Sequence, residues 1–205
     1  MSSREDILHR VRTALGRPEG GPPPAPPPVR LRIPETSLES RMASMIQRIE
    51  ALAGRVVRVP TPAEAGAWVR RTVAGKQAVV SQAPFLAECG IRDSEDPREL
   101  RERCAAAEMG ITSADYALAD TGTLVLLSSP REARLISLLP PAHIAVVPCN
   151  RLLSGLEELF SVLPDPAAAA SSMVLITGPS RTADIEQILV RGVHGPGQIT
   201  AVLVG

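Results

Sequence analysis

Lysine is almost absent from this chain. Of its 22 basic residues, Lys76 is the one lysine and the rest are arginine. A Schiff-base mechanism would have to use Lys76, which follows Gly75 and reads as a solvent-facing turn residue. No Walker A loop surrounds it. Arg70 and Arg71 stand where the upstream glycine belongs, and Gln77 replaces the hydroxyl residue. No GxGxxG run follows the early strands. Aromatic residues make up 2% of the chain, so the core must be aliphatic, and stacking recognition of single-stranded nucleic acid is disfavoured. Acidic and basic residues balance at 22 each, so no global field draws in nucleic acid or a membrane surface. No apolar run approaches the ~20 residues that cross a bilayer.

Cysteine is scarce too. Cys89, Cys104 and Cys149 are far apart and form no CxxC pair, so a zinc or iron–sulfur site built by this chain alone is not expected. An odd cysteine count and a charged, helical N-terminus point to reduced thiols and a cytoplasmic setting.

What is present is organised in three parts. Residues 1–16 read as an amphipathic helix with Ile7, Leu8, Val11 and Leu15 on one stripe and Gly16 as its stop. Residues 17–35 form a proline-rich linker with an extended, semi-rigid character. Residues 36–205 read as an α/β domain. There, Thr36–Leu52 is an amphipathic helix, and Thr61-Pro62-Ala63-Glu64 combines a cap, an N1 proline and an N3 acid ahead of a helix to about Val73. A second such start stands at Asp96-Pro97. Strands are expected at 55–59, 77–81, 110–112, 122–127, 143–147, 173–177 and 198–204, with helices at 84–89, 152–160 and 182–190. Apolar strands alternating with helices imply a mostly parallel sheet covered on both faces.

Ligands in such folds sit beyond the carboxyl ends of the strands. The loop after Thr177 reads Gly178-Pro179-Ser180-Arg181-Thr182 and runs into Asp184 and Glu186. Read as strand, tight turn and helix N-terminus, it would gather free N–H groups and the positive end of a helix dipole. Arg181 would add a planar fork for carboxylate or phosphate. A helix away, His194 sits between Gly192 and Gly195, which leaves its ring accessible and makes it the candidate catalytic residue. Asp120-Thr121-Gly122-Thr123 is either a β-turn bonding its own backbone or a polar cradle. That turn precedes its strand and falls on the opposite rim unless the neighbouring strand runs antiparallel. Arg134 is a further candidate anion ligand, or a solvent-facing helix arginine. His143, leading an apolar strand, reads as structural, and Cys149 as a buried small thiol.

Several short motifs in register carry a resemblance. Ile111-Thr112, Ala119–Thr123, Leu138–His143, Gly178–Glu186 and Gly192–Pro196 together resemble the LUD family. The resemblance implies an α/β/α three-layer sandwich like the NagB/RpiA/CoA-transferase group. It implies an accessory part in oxidising L-lactate to pyruvate, beside two iron–sulfur partner proteins that hold the clusters, with a small anionic ligand bound by this chain. The family pattern falls on Asp120, Thr121, Gly122, Thr123, Ser180, Arg181, Thr182, Asp184, Glu186 and His194. No glutamate stands in a glycine turn of the kind CoA transferases use; Glu157 and Glu158 read as helical. Two other readings stand beside this one. One is a free-standing enzyme of the sugar-phosphate isomerase or formyltetrahydrofolate cyclo-ligase type. The other is a non-catalytic interaction module whose helix-plus-proline arm binds partner subunits or a second copy of the chain.

Overall fold

The computed structural model describes residues 3–16, 35–92, 99–183 and 189–205. The described part of the first unit is the helix α1 (Ser3–Ala14), with Glu5 and Asp6 in its first turn and Arg12 in its last. The Asp96-Pro97 helix start read from the sequence lies outside the described residues.

The second unit, Arg32–Gly205, is built on a five-stranded sheet. Its strands are β1 (Arg55–Val59), β2 (Ala78–Val80), β3 (Met109–Ser113), β6 (Ala142–Pro148) and β11 (Gln198–Val204), in the order β1-β11-β6-β3-β2. Every pairing in it is parallel. The inner strands are apolar on both faces because both faces are covered. Ile144 and Val146 of β6, with Val202 and Val204 of β11, pack against α3 (Pro62–Val73) and α4 (Pro84–Glu88) through Val69 and Leu86. Ala145, Val147, Ala201 and Leu203 face the other way, onto Met42, Met45 and Ile49 of α2 (Leu38–Ala51). Both helices start where cap chemistry places them. Ser37 Oγ accepts from Ser40 N–H at 3.2 Å, and Thr61 Oγ1 accepts from Glu64 N–H at 3.2 Å, with Pro62 in the first turn.

The α/β architecture with a parallel central sheet agrees with the sequence pattern, but four elements differ from it. The strands read at 122–127 and 173–177 belong to a second sheet, β7-β4-β5-β8, made of β4 (Tyr116–Leu118), β5 (Thr123–Leu127), β7 (Leu152–Leu153) and β8 (Met173–Ile176). Here β5 runs antiparallel to both β4 and β8. One face of this sheet joins α2 in the main core through Leu124 and Leu126. The other, through Leu118 and Val125, packs on Leu159 of α7 (Leu156–Val162). Continuous apolarity reports that a strand is covered on two sides and does not report which sheet covers it. The helix read from residue 152 begins only at Leu156, because Leu152 and Leu153 pair in parallel with β4. The helix read over 182–190 is replaced at both ends by strand: β9 (Arg181–Ala183) pairs antiparallel with β10 (Leu189–Arg191). The remaining helices are α5 (Leu100–Ala106), α6 (Arg134–Leu138) and α8 (Pro166–Ala169).

Candidate functional site

The sheet has two rims, and the residues singled out in the sequence gather mostly at the amino rim. β4 runs away from the carboxyl ends of the central strands to the Asp120 turn, β5 returns, and β8 runs out again to Gly178. The antiparallel pairing therefore brings the Asp120 and Gly178 loops together. Thr121 Oγ1 lies 2.7 Å from Thr123 Oγ1, which lies 2.8 Å from Thr177 Oγ1. Thr121 also donates to Asp120 Oδ1 at 3.2 Å. Gly122 has φ +70°, and a Cβ there would lie 2.8 Å from Arg48 Cβ and 2.9 Å from Ile49 N. Gly178, at φ +79°, is pressed in the same way against Leu52. Both glycines are there so that these turns can lie on the end of α2.

The last two loops also converge. Ser180 N–H donates to Pro196 O at 2.9 Å, and Gly192 N–H to Ser180 O at 3.0 Å. Gly197 N–H donates to Pro141 O at 3.0 Å, which fixes the loops at the start of β6. Gly195 lies beside Ser180, and His194 is exposed. Arg181, however, donates from Nη2 to the Leu52 carbonyl at the end of α2. Its charge caps a helix C-terminus, where a cation is favoured, instead of facing an open hollow. Among the described residues no helix N-terminus stands at Thr182 to collect an anion, since Arg181–Ala183 is strand. A capping serine or threonine followed by acids also fits a turn out of a strand, and here the Ser180 and Gly192 backbone bond decides between them. Asp184 and Glu186 lie outside the described residues. Arg134, at the start of α6, is exposed on the other rim, near Glu132.

That carboxyl rim holds what sequence reasoning missed. A crevice of about 720 Å³ opens beyond the carboxyl ends of β2, β3 and β6, the place where open α/β sheets bind ligands. At its edge the segment after β5 turns sharply. Ser129 and Glu132 exchange backbone hydrogen bonds at 3.1 Å, and Ser129 Oγ accepts from Glu132 N–H at 3.0 Å. The turn is tied to the end of β2 by Gln82 N–H to Arg131 O at 2.8 Å. This places the Glu132 carboxyl indoors, 7% exposed. Ser81 Oγ donates to its Oε2 at 2.7 Å, while Oε1 has no hydrogen-bond partner. Burial pushes its pKa up to about 8. The Ser81 bond and the nearby Ser113 backbone N–H pull the other way, and the charge of Asp115 adds to the rise. Glu132 is therefore largely a neutral acid at pH 7. Asp115, half-buried in the same crevice, accepts from Leu127 N–H at 2.7 Å. Burial raises its pKa as well, against that bond, its own backbone N–H and the charge of Arg151.

Arginines complete the lining. The Arg151 guanidinium lies 5.4 Å over the Tyr116 ring and donates to its hydroxyl at 3.4 Å. The Arg131 side chain has no ion pair or hydrogen bond among the described residues, unlike Arg41, paired with Glu158, and Arg58, paired with Glu39. Glu132 offered only a faint signal in the sequence: a lone acid in a Ser-Ser-Pro turn directly after a buried strand. His143 is a core residue, as read. It is 1% exposed, its Nε2 lies 2.8 Å from Thr112 Oγ1, and burial lowers its pKa to about 4. The three cysteines are buried. Among the described residues, no group of three or more acidic, histidine or cysteine side chains is arranged to hold a metal ion, and no helix is long and apolar enough to cross a membrane.

Fold and crevice together define an α/β protein with a parallel central sheet, an attached antiparallel layer and a polar hollow at the carboxyl rim. The chain belongs to the LUD-domain family, whose model matches residues 42–204. It is 40% identical over 116 residues to lactate utilization protein C of an Exiguobacterium species, covering 55% of this chain and 50% of that protein. The protein of the same name from Halalkalibacterium halodurans matches equally, at 40% over 116 residues. That from Bacillus subtilis is 37% identical over 116 residues, or 48% of its length. The chain thus spans about half the length of the curated relatives it matches. In structure it resembles a DUF162 family protein from Deinococcus radiodurans, with a TM-score of 0.61 over 83% of this chain and 100% of that one, at 16% identity.

Proposed function

We propose that this protein is an accessory subunit of an L-lactate utilisation system. In that system, lactate is oxidised to pyruvate with two iron–sulfur partner proteins, and this chain binds a small anionic ligand. The observation that carries the lactate role is the match to proteins named lactate utilization protein C, at up to 40% identity. No cofactor is assigned to this chain: oxidation needs an electron acceptor, and the clusters belong to the partners. Residues 1–34, a helix followed by a proline-rich spacer, supply an arm for those partners. The anion site is better sought at the carboxyl-rim crevice than at the Gly178 loop, because Arg181 is engaged by Leu52 O. The test is deletion of the gene and growth on L-lactate as sole carbon source, restored by a plasmid copy. Undiminished growth in a strain without a second LUD gene refutes the role. Unchanged co-purification of the partners after removal of residues 1–34 refutes the arm.

A free-standing enzyme is the rival reading. The neighbouring carboxyls of Glu132 and Asp115 favour it, since acid–base chemistry uses one protonated and one ionised group side by side. Turnover of a sugar phosphate or a folate by the purified chain, without partners, would promote it.

A further inference from the structure

The crevice places a set of groups together that the fold does not need. Arg131 and Arg151 carry positive charge at its lining without a close ion pair among the described residues, although Glu88 and Asp115 share the crevice and Arg151 acts on the Asp115 carboxyl. Burying a carboxyl costs stability unless both oxygens find partners, yet Glu132 is held indoors with one oxygen unmatched. A leucine at the same place would close the turn onto β2 equally well, because the backbone bond from Gln82 to Arg131 already does so. The chain has four aromatic residues, and two of them, Phe85 and Tyr116, line this hollow. None of these observations uses the Gly178 loop.

We infer that the crevice binds an organic oxyanion bearing a hydroxyl or carbonyl oxygen next to its charged group. Arg131 and Arg151 hold the charge, and the neutral Glu132 carboxyl donates a hydrogen bond to the neighbouring oxygen. A guanidinium matches carboxylate and phosphate alike, so the charged group can be either. The Glu132 proton gives the selectivity. With Oε2 accepting from Ser81, the acidic hydrogen belongs to Oε1, which is buried, and a turn of the carboxyl toward the crevice lets a ligand oxygen supply the missing acceptor. A ligand without that oxygen leaves the donor unsatisfied and is rejected. The inference rests on the anion-binding part of the proposed function and does not depend on the lactate role.

Isothermal titration calorimetry on the full-length chain tests it with three probes: L-lactate, propionate and glycerol 3-phosphate. Propionate has the carboxylate and lacks the adjacent hydroxyl. The expected result is that lactate or glycerol 3-phosphate binds, and which of them binds identifies the charged group. Propionate should bind about tenfold more weakly than lactate if the carboxylate arm is the one that binds. Arg131→Ala and Arg151→Ala, both at exposed positions, should each weaken binding by about fivefold or more. Glu132→Gln keeps a neutral donor and should retain the affinity. Glu132→Met fills the same space without a donor, and should abolish the preference for the oxygen-bearing ligand while leaving the fold intact by circular dichroism. Absence of heat with all three probes at millimolar concentration overturns the inference. So does binding that is indifferent to both arginine changes, or a ligand preference that survives Glu132→Met. Failure to grow on lactate after gene deletion, with an empty crevice in vitro, sinks this inference alone. Normal growth with a working crevice sinks only the lactate role.

Discussion

Ser81 at the end of β2 donates to Glu132 after β5 across 2.7 Å, and this bond joins the two sheets' connections at the mouth of the crevice. Its consequence is a pH dependence. The Glu132 carboxyl holds its proton up to about pH 8, against an ordinary value of 4.5. The folded state therefore binds that proton more tightly than the unfolded chain. Its contribution is complete below the unfolded value and is lost as pH rises through the folded one. Between about pH 5 and pH 8, stability should fall by on the order of 3 kcal/mol from this group. Urea denaturation at several pH values measures it. Glu132→Gln should flatten the slope, and an identical slope in that variant would falsify the assignment.

His143 predicts the opposite limb. Burial depresses its pKa to about 4, so the folded state favours the neutral ring. The stability it contributes is present above about pH 6.5 and lost as pH falls towards 4. His143→Gln, which can still bond Thr112, should move the midpoint of acid unfolding to lower pH by circular dichroism. An unmoved midpoint would assign acid unfolding to other groups.

Gly122 and Gly75 make a matched pair for separating crowding from conformation. Both have positive φ, +70° and +75°. An added Cβ meets Ile49 N at 2.9 Å in the first case and nothing within 4 Å in the second. Gly75→Ala should cost about 1 kcal/mol, the conformational part alone. Gly122→Ala should cost roughly 3 kcal/mol, because α2 must also shift. Equal melting temperatures for the two variants would refute the close approach.

Arg181→Ala should remove the bond to the Leu52 carbonyl and lower stability by no more than about 1 kcal/mol, the guanidinium being exposed. Anion affinity at the crevice should stay the same. A large loss of affinity at low salt would return the ligand to the Gly178 loop.

Much of this fold can be read without coordinates. The caps at Ser37 and Thr61 act within three residues of themselves, and the runs at 142–148 and 198–204 are apolar because both faces of the parallel sheet are covered. The motifs around Asp120, Gly178 and His194 carry the family resemblance, and two of them do come together through the Thr123–Thr177 contact. What they face was not legible. A Ser-Arg-Thr run before acids satisfies the rules for a helix start as well as those for a strand leaving a turn.

Local chemistry thus determines where the capped helices of this chain start and which residues must be covered. The pairing of β5 with β8, the partner of Arg181 and the burial of Glu132 depend on segments 46 to 129 residues apart meeting in space. Those meetings are decided by the sum of many weak contacts over the whole core, and they put the loops with the motifs on one rim and the hollow on the other.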